Sequence, residues 1–110
     1  MAKKNYYRGR YKIPGKAMMY VKHYAMQYQG WRKALLDASE EKQKELKIKI
    51  GAIEQSATEA APDFYEHMIL AVTGEFTYDQ LLIFYGIPCS RDVFYDRRRL
   101  FYWLLYKRVW

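Results

Sequence analysis

The chain has 110 residues, of which 51% are apolar and 18% aromatic, and a formal net charge of +7. That length holds one hydrophobic core and not two. The apolar fraction excludes a disordered chain, and the single cysteine, Cys89, excludes an intramolecular disulfide framework. The charge is unevenly spread. Residues 1 to 33 hold nine Lys or Arg and no acid, residues 34 to 90 hold four basic against ten acidic residues, and residues 91 to 110 hold six against two. Two basic ends around an acidic middle predict two separate contacts with a polyanion, whereas chance clustering in a soluble protein has no such consequence. Twelve residues are Tyr, a side chain suited to surfaces that are half apolar and half wet.

Residues 1 to 15 read as a flexible basic arm. Lys3, Lys4, Arg8, Arg10 and Lys12 are interleaved with Tyr6, Tyr7 and Tyr11, and Gly9 and Pro14-Gly15 interrupt regular structure. Such arms meet phosphate backbones or minor grooves. The stretch Met1 to Tyr7 lacks the apolar core of a signal peptide, and no apolar run approaches about 18 residues. The expected location is cytoplasmic, with no membrane partner.

Residues 16 to 110 read as a single all-α domain of about five helices. Ala17, Val21, Tyr24, Tyr28, Trp31 and Leu35 form one apolar stripe at helical spacing, with a bend allowed at Gly30. Ser39 before Glu40 and Glu41 predicts the cap of a second helix, whose stripe is Leu46, Ile50, Ile53, Ala57 and Ala60. The short turn between the two stripes predicts an antiparallel hairpin over 16–61, and a stripe this regular also suits a homodimer. Pro62 fits the first turn of a third helix, with Phe64, Met68 and Val72 on one face and Gly74 at its end. Thr77 with Gln80 forms a capping box, Leu81, Leu82, Phe84 and Tyr85 follow, and Gly86 stops that helix in the left-handed conformation. Ser90 caps a last helix running to about Arg108.

The segment 62–110 thus has the layout of a helix-turn-helix: a short bracing helix, a Gly-containing turn, and a longer helix with polar side chains near its start. On a helical wheel Val93, Phe94, Leu100, Phe101, Leu104 and Leu105 share one side. Arg91, Asp92, Tyr95, Asp96, Arg99, Tyr102 and Tyr106 share the other. Arg91, Asp92, Tyr95 and Arg99 are the candidate base contacts, because arginine donates two hydrogen bonds to guanine. Arg98, Lys107 and Arg108 on the flanks, together with the arm cations, are candidate phosphate contacts. Arg97 falls inside the apolar stripe and must snorkel, pair with an acid or reach a phosphate. The plainer alternative for Arg97-Arg98-Arg99 is a solvated basic face.

The stretch Thr77 to Arg108, TYDQLLIFYGIPCSRDVFYDRRRLFYWLLYKR, resembles the C-terminal part of small regulators of Gram-positive phages and prophages. These are the ArpU-type and RinA-type late-gene regulators, whose C-terminal part is similar to the promoter-reading end of sigma factors. The resemblance covers roughly the last 45 residues well. It implies DNA binding near a late-gene promoter, at the nucleoid of a bacterial host cell, with RNA polymerase as a further partner. Carried over by position, it implies recognition by Arg91, Asp92, Tyr95, Arg98 and Arg99. The Gln or Lys often found early on such recognition helices is absent here.

Enzyme chemistry finds little support. His23 and His67 have no Cys or acid at metal-ligand spacing, so no metal or other cofactor is expected. Cys89 near a helix start invites a lowered thiol pKa, but without a partner base it reads as a small turn residue. No phosphate-cradling Gly-rich loop is present. Met18, Met19 and Met26 suit either a greasy surface or core filling. The function expected is sequence-specific binding of double-stranded DNA by a phage or prophage transcriptional regulator. Two alternatives are a phage-encoded inhibitor or adaptor that holds a host protein through its aromatic surface, and an RNA or single-strand binder whose arm tyrosines stack on unpaired bases.

Overall fold

Helix caps written into the sequence divide the chain. In a computed structural model, which describes residues 11–110, the fold is all-helical with no strand among those residues. The helices are α1 (Gly15–Met26), α2 (Tyr28–Leu35), α3 (Glu40–Ala60), α4 (Tyr65–Gly74), α5 (Tyr78–Tyr85) and α6 (Arg91–Val109). Three starts are capped as the residue types demand. Ser39 Oγ accepts from the Lys42 N–H at 3.3 Å, and Ser90 Oγ from the Val93 N–H at 3.3 Å. Thr77 and Gln80 close a reciprocal capping box at 3.2 and 2.9 Å. Each cap satisfies N–H groups that the helix itself cannot, and is worth about 1 kcal/mol.

The sixth helix arises because the first stripe breaks, at Gln27 and not at Gly30. The Gln27 N–H turns to Tyr24 O at 3.2 Å, a tighter turn than the α-helix. The carbonyl of His23, which that N–H would otherwise reach, accepts instead from the Gln27 side-chain amide at 3.3 Å. The break redirects the chain. Helix α2 packs along α3 as the expected hairpin, but α1 packs chiefly on α6 and α4. Helix α6 therefore lies between α3 on one flank and α1 on the other, and its strongest packing is on α3.

Both predicted stripes supply the core. Ala17, Val21, Tyr28, Leu46, Ile50, Ile53, Ala57 and Ala60 are buried, with Phe94, Phe101 and Leu105 opposite them on α6. Fully burying a side chain of this size contributes about 1.5–3 kcal/mol. Tyr28 carries its polar end inward safely: its hydroxyl donates to Glu54 on α3 at 2.5 Å and accepts from Arg32 at 3.4 Å.

Several local expectations are corrected. Residues 61–64 form a turn, and the third helix begins at Tyr65, beyond Pro62. The helix ends at Gly74 as expected, and the left-handed residue is the next one, Glu75, at φ 57°. A Cβ at Gly74 would meet the Phe76 ring at 3.0 Å, so that ring would have to give by a few tenths of an ångström. Val93 is exposed, although its neighbour Phe94 is buried with its ring 5.8 Å from that of Tyr78 on α5. Phe84 is 69% exposed: the eight-residue α5 turns Tyr78 and Leu81 inward, and its other face carries Leu82, Ile83 and Phe84 outward. Among the described residues no helix is long and apolar enough to cross a membrane.

Candidate nucleic-acid interface

The α5–turn–α6 unit is built from a small number of locks. Gly86 takes the left-handed conformation expected of it, φ 57° and ψ 46°, and the Ile87 N–H folds back to Leu81 O at 3.3 Å. Ile87 is buried and anchors the turn. The Tyr78 hydroxyl donates to Cys89 O at 2.6 Å, and the Tyr78 N–H donates to the Tyr95 hydroxyl at 3.4 Å. His67 of α4 donates through Nε2 to Tyr85 O at 2.8 Å, satisfying a carbonyl left over at the end of α5. Burial and the neighbouring Asp63 push the Cys89 thiol upward, with Arg97 opposing. That is the reverse of what its nearness to a helix start invites, and it favours the thiol as a packing group.

The candidate contacts separate into distinct environments. Arg91 forms an ion pair with Asp79 on α5 and lies over the Tyr78 ring at 5.3 Å, so it joins the two helices of the unit. Asp92 is exposed in the first turn of α6, where the helix dipole favours a negative charge. Tyr95 is half-buried, with its hydroxyl engaged by Tyr78. Arg97 resolves its conflict by pairing with an acid. It donates to Ala60 O at 3.1 Å, reaches Asp63 at 3.5 Å, and so caps the C-terminus of α3. Arg108 donates to Ser56 Oγ at 3.2 Å and pairs with Glu59, which ties the far end of α6 to α3 and turns this guanidinium inward. Lys107 is exposed and lies over the Trp103 ring at 5.6 Å. Lys3, Lys4, Arg8 and Arg10 lie outside the described residues.

The other flank of α6 gathers positive charge. A cleft of about 620 Å³ is lined by Tyr11, Lys12, Ile13, Met18, Lys22, Arg98, Arg99 and Tyr102. Arg98 stacks on the Tyr95 ring at 4.7 Å, and the Lys22 ammonium lies 5.9 Å from the centre of the Tyr102 ring. Neither Lys12, Lys22 nor Arg98 has an acid within ion-pair distance among the described residues. Residues 1 to 36 contain no acid, and neither does α6 from Arg97 onward. A smaller cavity of about 250 Å³ adjoins it, sharing Lys22, Arg98 and Tyr102 and adding Glu75 and Phe76. Burial raises the Tyr102 hydroxyl above the usual tyrosine range, Arg98 opposes the shift and Glu75 adds to it. Stacked cations with low-entropy aromatic backing, facing solvent, suit phosphate oxygens.

The cleft brings together Lys12, Arg98 and Arg99 from the predicted set. It adds Lys22 and Tyr102, which the contact assignment from sequence missed. The missing information is the docking of α1 on α6, a long-range pairing that no local pattern encodes; the acid-free first third of the chain was the available signal. Among the described residues no group of His, Cys, Asp and Glu is arranged to hold a metal ion. Comparison with protein-family models finds no match, and comparisons with curated proteins and with solved structures find none either. The resemblance to late-gene regulators rests on the pattern of Thr77 to Arg108.

Proposed function

We propose that the chain binds double-stranded DNA, with α6 as the helix that enters the major groove and the neighbouring cleft as its clamp on the phosphate backbone. The observation that carries this reading is the convergence of Lys12, Lys22, Arg98 and Arg99 on one side of α6, directly behind a capped α5–turn–α6 unit. Arg99 and Asp92 on the outward face are the base-reading side chains, and Lys12, Lys22, Arg98 and Lys107 hold phosphates. Arg91 and Tyr95 shape the unit through Asp79 and Tyr78. Following the sequence resemblance, the biological role is transcriptional regulation of the phage or prophage kind.

Selection of bound duplexes from a random pool tests this reading, followed by affinity measurements on two variants. Arg99→Ala relaxes the preference at one base pair by roughly 1–3 kcal/mol, and Lys22→Ala weakens all duplexes equally. Uniform loss in both variants, or no selected sequence, overturns the recognition-helix assignment. A second reading, a protein partner such as RNA polymerase or a host protein, is favoured by one observation: Leu82, Ile83 and Phe84 stand exposed side by side on α5. Loss of a captured partner in Ile83→Asp, with duplex affinity intact, supports it.

A further inference from the structure

Six aromatic rings form an unbroken chain across α2, α1 and the C-terminal half of α6. Trp31 meets Tyr24 at 4.9 Å, Tyr24 meets Tyr20 at 6.0 Å, and Tyr20 meets Trp110 at 5.5 Å. Trp110 continues to Tyr106 at 6.4 Å, and Tyr106 to Trp103 at 5.7 Å. All three tryptophans of the protein belong to it. The Trp31 end is half-buried against the core and braces the rest, whereas Tyr20 is 44% and Trp110 64% exposed. Exposed rings of this size are expensive in water unless something covers them.

We infer that the Tyr20–Trp110–Tyr106–Trp103 end of this ring chain is a stacking platform for the unpaired bases of a nucleic-acid strand. Charge decides the occupant. Lys107 lies over Trp103, Lys16 sits one helical turn before Tyr20 on α1, and neither the first 36 residues nor α6 beyond Asp96 carries an acid. Two copies meeting through this same face would bring like charges together and be repelled. A polyanion with π-faces satisfies the rings and the lysines together, and such stacking tolerates any base. The platform begins at Trp103, four residues along α6 from Arg99, which places it about 6 Å or more further along the axis than the proposed duplex contact. The two sites share Lys107, but none of the platform's rings is a duplex contact, so stacking is tested apart from the duplex reading.

The test is titration of the full-length protein with oligothymidylate, read by its tryptophan fluorescence, beside an abasic oligonucleotide of equal length. Stacking quenches the emission with oligothymidylate and leaves it with the abasic strand, which offers phosphates alone. Tyr20→Ala and Trp110→Ala each weaken oligothymidylate binding about tenfold, with unchanged helical circular dichroism and unchanged duplex affinity. Equal quenching by the abasic strand, wild-type affinity in both variants, or a protein dimer that Trp110→Ala dissolves would overturn the inference. Failure of duplex binding alone would leave the oligothymidylate result standing, so the two readings fail separately.

Discussion

The two flanks of α6 carry the same kind of residue and use it oppositely. Toward α3, Arg97 takes Ala60 O of that helix and Asp63 of the turn beyond it, and Arg108 takes Glu59 and Ser56 Oγ of that helix. Toward α1, Arg98 lies on tyrosine and phenylalanine rings and Lys22 on Tyr102, and among the described residues neither cation has an acid within ion-pair distance, Glu75 lining only the adjoining cavity. The acids of the chain are concentrated between residues 37 and 79, so the flank that packs on α3 is neutralised and the flank that packs on α1 is not. An arginine's partner, more than its place on a wheel, decides whether it holds the fold together or faces outward to a ligand.

Substitutions on the two flanks separate these uses. Arg97→Ala has the largest expected effect. It removes the part-buried donor to Ala60 O and the side chain that lies over the Phe64 ring, at a cost of about 1.5–3 kcal/mol, to which the exposed Asp63 adds little; chemical denaturation measures it, with DNA affinity lost only in proportion to unfolding. Gly86→Val shifts both flanks together. No atom lies within 4 Å of the added Cβ, so the penalty is the left-handed backbone alone, about 1–2 kcal/mol, and both melting temperature and duplex affinity fall. Normal values for both would contradict the geometry of the turn.

Tyr28→Phe sharpens the comparison on the α3 side. It removes one buried hydroxyl–carboxylate bond at a cost of about 1 kcal/mol and does not alter binding. It also changes the alkaline limb of stability. Burial, reinforced by the hydrogen bond to Glu54, pushes the Tyr28 hydroxyl up to about 12 from the ordinary 10.0. The folded state therefore keeps a proton that the unfolded chain releases. The resulting stabilisation is complete below pH 10.0 and is lost as pH rises toward about 12. Unfolding curves through that window fall more steeply for wild type than for Tyr28→Phe. The smallest stability effect belongs to the other flank: Lys22→Ala stays within about 0.5 kcal/mol while weakening duplex binding.

Local signals were legible in the sequence because their physics is local. Ser39, Thr77 with Gln80, Gly86 and Ser90 each act within four residues, and all of them cap or stop helices as read. The stripe from Leu46 to Ala60 is buried as its spacing demands. What the sequence concealed depends on neighbours far along the chain. The wheel of α6 put Val93 with the core and Tyr102 away from it, because it could not know which helices pack on which side of α6 or that α1 leaves α3 at Gln27. The same ignorance hid the meeting of Lys22 with Arg98 and Tyr102 at the cleft, and the pairing of Arg108 with Glu59, which lies 49 residues earlier.

The claim that the α1 flank of α6 grips a nucleic-acid backbone is tested most directly by the salt dependence of duplex affinity. Log affinity against log salt is measured for wild type, Lys22→Ala, Arg98→Ala and Arg108→Ala. The account predicts that each of the first two substitutions lowers the magnitude of the slope by about one, as a phosphate contact and its released counterion disappear. Arg108→Ala lowers the melting temperature and leaves the slope as it is in wild type. A wild-type slope in Lys22→Ala and Arg98→Ala, or a slope that falls in Arg108→Ala instead, would contradict it.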